Sequence, residues 1–371
     1  MPIALRADYE NANGRMIAID DGPVVRFEAE ARGGRWPLWW RFWLTGLPRF
    51  TEVRLELANA ADVLGGLQGL RHVRPVWREP AGHWRRVECM DIDEAGGVFG
   101  FVCATSVGEI EVAFCHPFSY SDLRTWIEGL PDTVTGAELC VSPGGLSVPL
   151  LRMGDPRGAR HGVWITARQH AGEAPGSWVL NGLVQHFLDE GASPDHGIAL
   201  NIVPMIDVDG VFRGDYGKTV APDDFWEDWR GASRRAAVGA TRAAIAEWAA
   251  ERPYDLLLDL HAPTPSDGSY AYGIPAPNAE LQAARNEFLA MVEETAPADC
   301  PFDAEHGRMV SDEELIARST QGAQMAEHGV LAICLETAYH RTSAGTWVTP
   351  GMLQRLGRAV GEATVRYLSE R

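Results

Sequence analysis

The stretch GVWITARQHAGE, residues 162–173, joins an apolar run to two polar side chains, and residues 180–188 beyond it have a helical pattern. The apolar run 162–167 predicts a buried β-strand. His170 and Glu173 come on the turn that leaves this strand, where a histidine and a carboxylate three residues apart can point at one metal ion. A neutral imidazole and a carboxylate are ligands that suit Zn²⁺. We therefore expect a strand, a metal-binding turn and a helix in this order.

A second strand-like segment, LLLDLH at residues 256–261, ends in His261. An HxxE pair is common by chance, and a single histidine is more often a structural residue than a ligand. Two buried strands that both lead to such residues make a metal site the better interpretation. His170, Glu173 and His261 would hold one Zn²⁺ per chain and leave its fourth position for water, as in catalytic zinc sites. Asp259, two residues before His261, is expected to brace a loop rather than to face the metal.

The first 115 residues contain short runs with strand character, separated by Gly and Pro and without helical periodicity. These runs are 24–28, 37–44, 53–57, 84–87 and 110–114. The pattern predicts a small antiparallel β-sandwich as a first domain, residues 1–115.

From residue 116 to residue 371 strand-like and helical segments alternate. The strand-like runs are 162–167, 198–205, 256–260 and 330–335, and the helical ones include 233–250, 279–295, 312–327 and 350–369. Alternation of this kind predicts a second domain, residues 116–371, of the α/β class with a mixed, mostly parallel sheet.

The catalytic base is expected at Glu336, directly after the strand-like run 330–335. In sheets of this class the working residues lie at strand ends and in the loops beyond them, where His170, His261 and Glu336 all fall. An ionised carboxylate at the end of a buried strand is costly unless it has a partner or a function. Hydrolysis of an amide at a zinc site needs a general base beside the attacking water. The alternative for Glu336 is a buried ion pair.

The composition excludes several classes of function. Hydrophobic residues make up 46% of the chain and charged residues 23%, as in a soluble globular protein, and the net charge of −18 argues against a nucleic-acid partner. No signal-like segment follows the first residue and no run of about 18 apolar residues occurs, so export and membrane insertion are not expected. Six scattered cysteines without a CxxC motif predict reduced thiols and a cytoplasmic location.

The motif around the proposed ligands resembles the His-Pro-Gly-Glu signature of zinc carboxypeptidases of the M14 type, in particular the cytosolic carboxypeptidase-like branch. Further segments match this branch in order along the chain: 27–34, 40–44, 116–123, 202–211 and 335–339. The resemblance implies an α/β/α catalytic domain after a β domain, a peptide or small-molecule amide as substrate, and Glu336 as the general base. It also implies that Asp224 accepts a hydrogen bond from the first metal-binding histidine.

The segment 214–229 departs from the family pattern at the positions that bind substrate. Where the family has an arginine that stabilises the oxyanion, this chain has Val220, and where it has an Asn-Arg pair that grips a C-terminal carboxylate, this chain has Trp226 and Glu227. Loss of an oxyanion donor costs about 10²–10³ in rate unless it is replaced. Lys218, the single lysine of the chain, is the candidate replacement.

Three hypotheses follow from these departures. In the first, the chain is a zinc hydrolase whose substrate presents an amine, a guanidinium or a neutral aromatic group to Trp226 and Glu227. In the second, it is an ordinary carboxypeptidase that grips the carboxylate with another arginine. The candidates for that role are Arg213, Arg230, Arg234 and Arg235. In the third, it binds metal and recognises a partner without turnover.

Four further residues are candidates for the substrate pocket. The family resemblance implies a tyrosine near the leaving group, and Tyr270, Tyr272 and Tyr339 are all compatible with this role or with a place in the core. Gln321 precedes the strand of Glu336 and is expected to line the specificity pocket.

Overall fold

The computed structural model describes residues 2–20, 23–189, 197–304 and 309–371. The strands in these ranges are β1 (Ala4–Arg6), β2 (Arg15–Asp20), β3 (Val24–Glu28), β4 (Arg41–Thr45), β5 (Thr51–Leu57), β6 (Val76–Arg78), β7 (Arg85–Arg86), β8 (Met90–Asp93), β9 (Val98–Thr105), β10 (Ile110–Ala113), β11 (Thr135–Val141), β12 (Ser147–Met153), β13 (His161–Ala167), β14 (Ile198–Val203), β15 (Leu256–His261), β16 (Ser269–Ala271), β17 (Phe302–Asp303) and β18 (Leu331–Glu336). The helices are α1 (Gly66–Leu70), α2 (Tyr120–Glu128), α3 (Ala174–Asp189), α4 (Val208–Arg213), α5 (Ala236–Ala249), α6 (Ala279–Thr295), α7 (Glu313–Arg318), α8 (Thr320–His328) and α9 (Pro350–Ser369), with 3-10 turns at Ala60–Asp62 and Phe225–Glu227.

The N-terminal strands form two five-stranded sheets that face each other. Their strand orders are β1-β4-β10-β6-β7 and β2-β3-β5-β9-β8. Residues alternate between the core and the solvent side, as in β5, and the ring of Phe27 in one sheet lies 4.8 Å from that of Phe42 in the other. The pairs are antiparallel except β3–β5, which is parallel. The predicted sandwich is therefore present with one parallel pair, and its status as a separate domain stays a prediction.

The central sheet has eight strands in the order β11-β12-β14-β13-β15-β18-β16-β17. Its middle strands, β14, β13, β15 and β18, run parallel, and all their residues are buried except His161 at the start of β13. Strands that are covered on both faces need continuous apolar sequence, which explains the runs in the sequence. Residues of α3, α6 and α9 pack on one face, and residues of α5 and α8 pack on the other. The predicted mixed, mostly parallel α/β/α arrangement is confirmed.

Two predicted segments differ from the structure by more than a few residues at an end. The run 37–44 is a strand only from Arg41 onward. The predicted helix 312–327 is two helices, α7 and α8, which are separated at Ser319. The backbone of Ser319 is extended, with ψ at 156°, and its side chain accepts a hydrogen bond from the N–H of Gly322 to cap α8. A serine that caps a helix competes with helix continuation, and this breaks the predicted segment.

Candidate metal centre

Three parallel strands bring the predicted site residues to one edge of the central sheet. β13 ends at Ala167, and the chain then passes through His170 and Glu173 into α3. β15 ends at His261 and β18 ends at Glu336, and these two residues are register partners. Partners on neighbouring parallel strands point to the same face, so both side chains reach the carboxyl edge of the sheet on the side of the His170 turn.

The side chains of His170, Glu173 and His261, which we call the metal triad, converge on one point. His170 Nδ1 lies 2.9 Å from Glu173 Oε1, His261 Nδ1 lies 2.8 Å from Glu173 Oε2, and the two Nδ1 atoms are 3.1 Å apart. All three residues are buried. Zinc bonds of about 2.0–2.2 Å in a tetrahedral site place ligand atoms roughly 3.3 Å from one another. The spacing and the donor types of the triad therefore fit a zinc ion.

Each histidine of the metal triad has a carboxylate behind it. His170 Nε2 lies 2.9 Å from Asp224 Oδ1, and His261 Nε2 lies 3.0 Å from Asp259 Oδ2. An ionised carboxylate only accepts hydrogen bonds, so both rings donate through Nε2 and direct Nδ1 at the centre of the triad. Partners of this kind fix the tautomer and the orientation of a metal-binding imidazole.

The position of Asp259 corrects the sequence analysis, which expected it to brace a loop. Residues i and i+2 of a strand point to the same face, so Asp259 lies beside His261 and not on the opposite side of the sheet. Its carboxylate also accepts hydrogen bonds from Thr166 Oγ1 at 2.7 Å, Gln169 Nε2 at 2.7 Å and Gln321 Nε2 at 3.0 Å. With His261, Asp259 is thus a buried carboxylate that accepts hydrogen bonds from four side chains.

The electrostatic field of the site favours positive charge at the metal triad. Burial opposes a charge on His170, but the carboxylates of Asp224 and Glu173 outweigh it and raise the pKa of His170 to about 9. Burial likewise opposes a charge on His261, and Asp259 and Glu173 outweigh it, so the pKa of His261 is raised well above its usual value. The surroundings that hold protons on these rings also attract a divalent cation, which displaces the protons when it binds.

Lys218 and Glu336 complete the polar groups at the triad. Lys218 Nζ lies 2.8 Å from Glu173 Oε1, and one fifth of its side chain is exposed. The pKa of Glu336 is raised, because burial disfavours its charge more than the ammonium of Lys218 supports it. Among the described residues, Glu336 Oε2 has no hydrogen-bond partner. A buried carboxylate with a free acceptor atom is suited to exchange protons with a bound water or substrate.

A cavity of about 280 Å³, which we call the site cavity, opens above the metal triad. The rings of Trp226 and Tyr272 meet edge to face in its wall, with centroids 5.8 Å apart. Leu64, from the N-terminal region, also lines it. The lining residues are Leu64, His170, Lys218, Thr219, Asp224, Trp226, Glu227, His261, Pro263, Thr264, Tyr270, Tyr272, Leu315, Cys334 and Glu336. The site cavity therefore combines an aromatic and apolar wall with the polar groups of the triad.

Glu227, at the position where the family has an arginine, is paired in this chain. Its Oε2 atom lies 3.0 Å from a guanidinium nitrogen of Arg318, which comes from the end of α7. The sequence could not predict this ion pair, because Arg318 and Glu227 are distant in the chain and no motif links them.

None of the four arginines suggested for carboxylate binding lines the site cavity. Arg213 pairs with Asp215, and Arg234 pairs with Asp223. Arg235 donates to backbone carbonyls of the segment 220–223, and Arg230 is exposed. Apart from the histidines, Lys218 is the one cationic side chain that lines the cavity within the described residues.

Part of the sequence is similar to that of known proteins. No family model matches the sequence. Cytosolic carboxypeptidase 2 of Danio rerio is 29% identical over 181 residues, which are 44% of this chain and 25% of that protein. Cytosolic carboxypeptidase 2 of Mus musculus is 25% identical over 211 residues, or 52% of this chain and 24% of that protein. The chain thus matches about a quarter of the length of these curated relatives.

Solved structures match along the whole chain. A metallo-carboxypeptidase from Burkholderia cenocepacia superposes with a TM-score of 0.86 at 22% identity, and the match covers 100% of both chains. This chain has the metallo-carboxypeptidase fold. A metallo-carboxypeptidase from Pseudomonas aeruginosa, in complex with (2-guanidinoethylmercapto)succinic acid, superposes with a TM-score of 0.85 at 20% identity over 99% of both chains. The resemblance read from the sequence is confirmed.

Gln321 does not have the position that the sequence predicted for it, which was in the lining of the specificity pocket. It is 1% exposed and does not line the site cavity. Its Oε1 atom accepts a hydrogen bond from Trp226 Nε1 at 2.8 Å, and its Nε2 atom donates to Asp259. Gln321 therefore lies behind the wall of the pocket, because α8, which carries it, packs against the face of β15 and β18.

The three tyrosines that are candidates for a place near the leaving group differ in whether they line the site cavity. Tyr270 and Tyr272 line the site cavity, and Tyr270 is the register partner of Glu336. Tyr339 is 1% exposed and packs edge to face on Phe114. The structure thus leaves Tyr270 and Tyr272 as tyrosines that a substrate in the cavity can touch.

Proposed function

We propose that the chain is a zinc-dependent hydrolase that cleaves an amide bond of a peptide or a small molecule, with a terminal-group specificity unlike that of an ordinary carboxypeptidase. The observation that carries this proposal is the metal triad, whose three donor atoms face one another beneath a cavity that also contains Glu336. The carboxypeptidase fold supports it, since relatives with this fold are named metallo-carboxypeptidases. The six cysteines, which form no disulfide with one another, and the names of the curated relatives support a cytoplasmic location.

The residues of the metal triad would hold the ion, and Asp224 and Asp259 would keep both imidazoles in the tautomer that binds it. A zinc ion bound there supplies Lewis acidity, which activates a water and polarises the carbonyl of the substrate. Glu336 takes a proton from the attacking water and returns it to the leaving amine. Burial raises the pKa of Glu336 above its usual value, which makes its carboxylate a stronger proton acceptor and supports this role.

Lys218 is proposed to stabilise the negative charge that develops on the substrate oxygen. It lines the site cavity beside the metal triad, and it is the cation available there in place of the missing arginine. Its ion pair with Glu173 holds the ammonium at the position of the triad. Fixed charges in a partly dry site stabilise a developing oxyanion without reorganisation during the reaction.

Trp226 and Glu227 support the unusual specificity. Both line the site cavity, and neither can grip a C-terminal carboxylate as an Asn-Arg pair would. An amine, a guanidinium or a neutral aromatic group suits an aromatic wall beside a carboxylate. The pair between Glu227 and Arg318 supports a second candidate, an ordinary carboxypeptidase in which Arg318 leaves Glu227 to bind the substrate carboxylate.

The test is hydrolysis of matched N-acyl dipeptides by the zinc-loaded protein, one with a free carboxylate and one with an amide or a basic amine of the same size. We expect the amide or amine to be preferred, and Glu227→Arg to reverse the preference. Preference for the free carboxylate, lost in Arg318→Met, would establish the second candidate instead. Zinc binding without hydrolysis of either substrate would favour a recognition protein without turnover.

A further inference from the structure

A chain of buried hydrogen bonds connects the wall of the site cavity with the metal triad. It begins at the indole of Trp226, whose Nε1 atom donates to Gln321 Oε1 at 2.8 Å. Gln321 Nε2 donates to Asp259 Oδ2 at 3.0 Å, and the same oxygen lies 3.0 Å from His261 Nε2. Trp226 is 8% exposed, and the other members of the chain are exposed by 1% or less.

The direction of every bond in this chain is fixed by the donor types. An indole N–H can only donate, so the amide oxygen of Gln321 must face Trp226 and its NH₂ group must face Asp259. The ionised carboxylate of Asp259 can only accept, so His261 must donate through Nε2. An apolar side chain at 321 would leave the indole N–H without its acceptor and Asp259 without one donor, and buried polar groups without partners are costly.

A second branch leads from Asp259 away from the substrate. Trp229 Nε1 donates to Gln169 Oε1 at 2.8 Å, and Gln169 Nε2 donates to Asp259 Oδ2 at 2.7 Å. Trp229 is fully buried and does not line the site cavity. Both branches end in a tryptophan, but only the branch through Gln321 ends in a side chain that substrate can touch.

We propose that Gln321 is a positioning residue that couples the orientation of the substrate-binding wall at Trp226 to the orientation of the metal ligand His261. This inference rests on the proposed function and deepens it, because it names a residue outside the cavity that sets both metal affinity and substrate fit. Gln321 acts through its neighbours and touches neither substrate nor metal.

The test compares Gln321→Met with Gln324→Met. Gln324 lies on the same helix, is equally buried at 1% exposure, and accepts its hydrogen bond from Tyr254, which is not part of the site. Zinc affinity is measured by competition with a chromogenic chelator, and KM and kcat are measured for the better substrate of the matched pair. We expect Gln321→Met to weaken zinc binding by about threefold to tenfold, less than the 10–100-fold effect of a direct partner of a metal ligand. It should also raise KM, whereas Gln324→Met should change neither.

A double-mutant cycle with Trp226→Phe tests the coupling to the wall. Phenylalanine keeps an aromatic ring in the cavity and removes the N–H that binds Gln321. If the bond to Gln321 orients the Trp226 wall, each single variant raises KM and the double variant raises KM no further. If the two residues act independently, the two increases in KM multiply in the double variant.

Unchanged zinc affinity in Gln321→Met, or effects on KM that multiply in the double variant, would overturn the proposal. The zinc measurement needs no turnover, so it separates the two levels of inference. A protein that hydrolyses neither substrate, but in which Gln321→Met alone weakens zinc binding, would refute the proposed function and retain the link to His261.

Discussion

Glu336 is a carboxylate that the fold keeps buried at the end of β18. Burial raises its pKa above the usual value despite the nearby ammonium of Lys218, and its Oε2 atom lies without a hydrogen-bond partner among the described residues. We predict that Glu336→Gln lowers kcat by about 10²–10⁴, the usual contribution of a general acid–base group. The metal triad does not include Glu336, so zinc affinity should stay within a few-fold of wild type. Steady-state kinetics with a zinc titration measure both.

Loss of zinc binding together with activity in this variant would contradict the assigned role and place Glu336 among the groups that hold the metal. Retained activity would move the general base to another residue of the site cavity.

At the residue scale the sequence predicted the site residues whose positions follow from the local pattern around them. His170 and Glu173 share a turn, and His261 and Glu336 end apolar runs, so their convergence followed from the geometry of parallel sheets. The roles of Gln321 and Arg318 depend on partners from distant segments and had no local signal. Asp259 did have one, since its spacing of two from His261 on a strand places both side chains on one face.

The two helices α3 and α9 approach each other closely at their glycines. A Cβ atom at Gly182 would lie 1.8 Å from the carbonyl oxygen of Gln354, whereas a Cβ atom at Gly351, in the first turn of α9, meets nothing within 4 Å. We predict that Gly182→Ala lowers the free energy of unfolding by about 1–3 kcal/mol, because backbone of α9 would have to shift. Gly351→Ala should raise it by up to about 1 kcal/mol.

Urea unfolding of the two alanine variants measures these effects. Equal changes in both would show that α3 and α9 can separate at no cost, contrary to the close approach seen in the fold.

Asp207 caps the short helix α4 from a buried position. Its side chain accepts a hydrogen bond from the N–H of Gly210, and burial raises its pKa from 3.8 to about 6. The folded state thus binds this proton more tightly than the unfolded state does, so the contribution of Asp207 to stability is full below pH 3.8 and falls as the pH rises towards 6. Asp207→Asn keeps an acceptor for the cap and has no charge to bury.

We predict that, between pH 5 and pH 7, the free energy of unfolding of Asp207→Asn rises relative to that of wild type by on the order of 1 kcal/mol. The estimate follows from about 1.4 kcal/mol per pKa unit. Asp207→Ala removes the cap and serves as the control, with a loss of about 1 kcal/mol. A difference between wild type and Asp207→Asn that does not vary with pH would mean that Asp207 is not destabilised by burial.

At the element scale, periodicity predicted long segments well and short ones poorly. α6 and α9 begin and end where the helical patterns 279–295 and 350–369 do. The break at Ser319 was missed, because helical periodicity continues across it while the cap belongs to a single residue. The parallel pair β3–β5 was missed as well, because strand pairing is decided by tertiary contacts and not by the pattern of either strand.

The N-terminal sandwich and the α/β region share buried contacts. The guanidinium of Arg86, in β7, lies 3.1 Å from the carbonyl oxygen of Val348, and Asn13 Nδ2 donates to the carbonyl oxygen of Gly214 at 2.8 Å. Buried residues of both regions belong to one continuous apolar cluster. We predict that the two regions unfold in a single transition, and that zinc raises its midpoint for both, because zinc binds only the native chain.

Coincident transitions by circular dichroism and by hydrogen exchange within residues 4–113 would agree with this prediction. A sandwich that melts separately and does not respond to zinc would instead show that residues 1–115 form an independent domain.

The metal triad and its hydrogen-bond partner Asp224 draw together positions that are remote in the chain. His170 and His261 are 91 residues apart, and His170 and Asp224 are 54 apart. Long loops of this kind must close before their contacts contribute, so a parallel sheet of high contact order folds slowly and completes its centre late. We therefore expect a metal ion to bind at the triad only after the chain has folded. Such an ion would lengthen the lifetime of the native state by slowing unfolding, and it would not nucleate the fold.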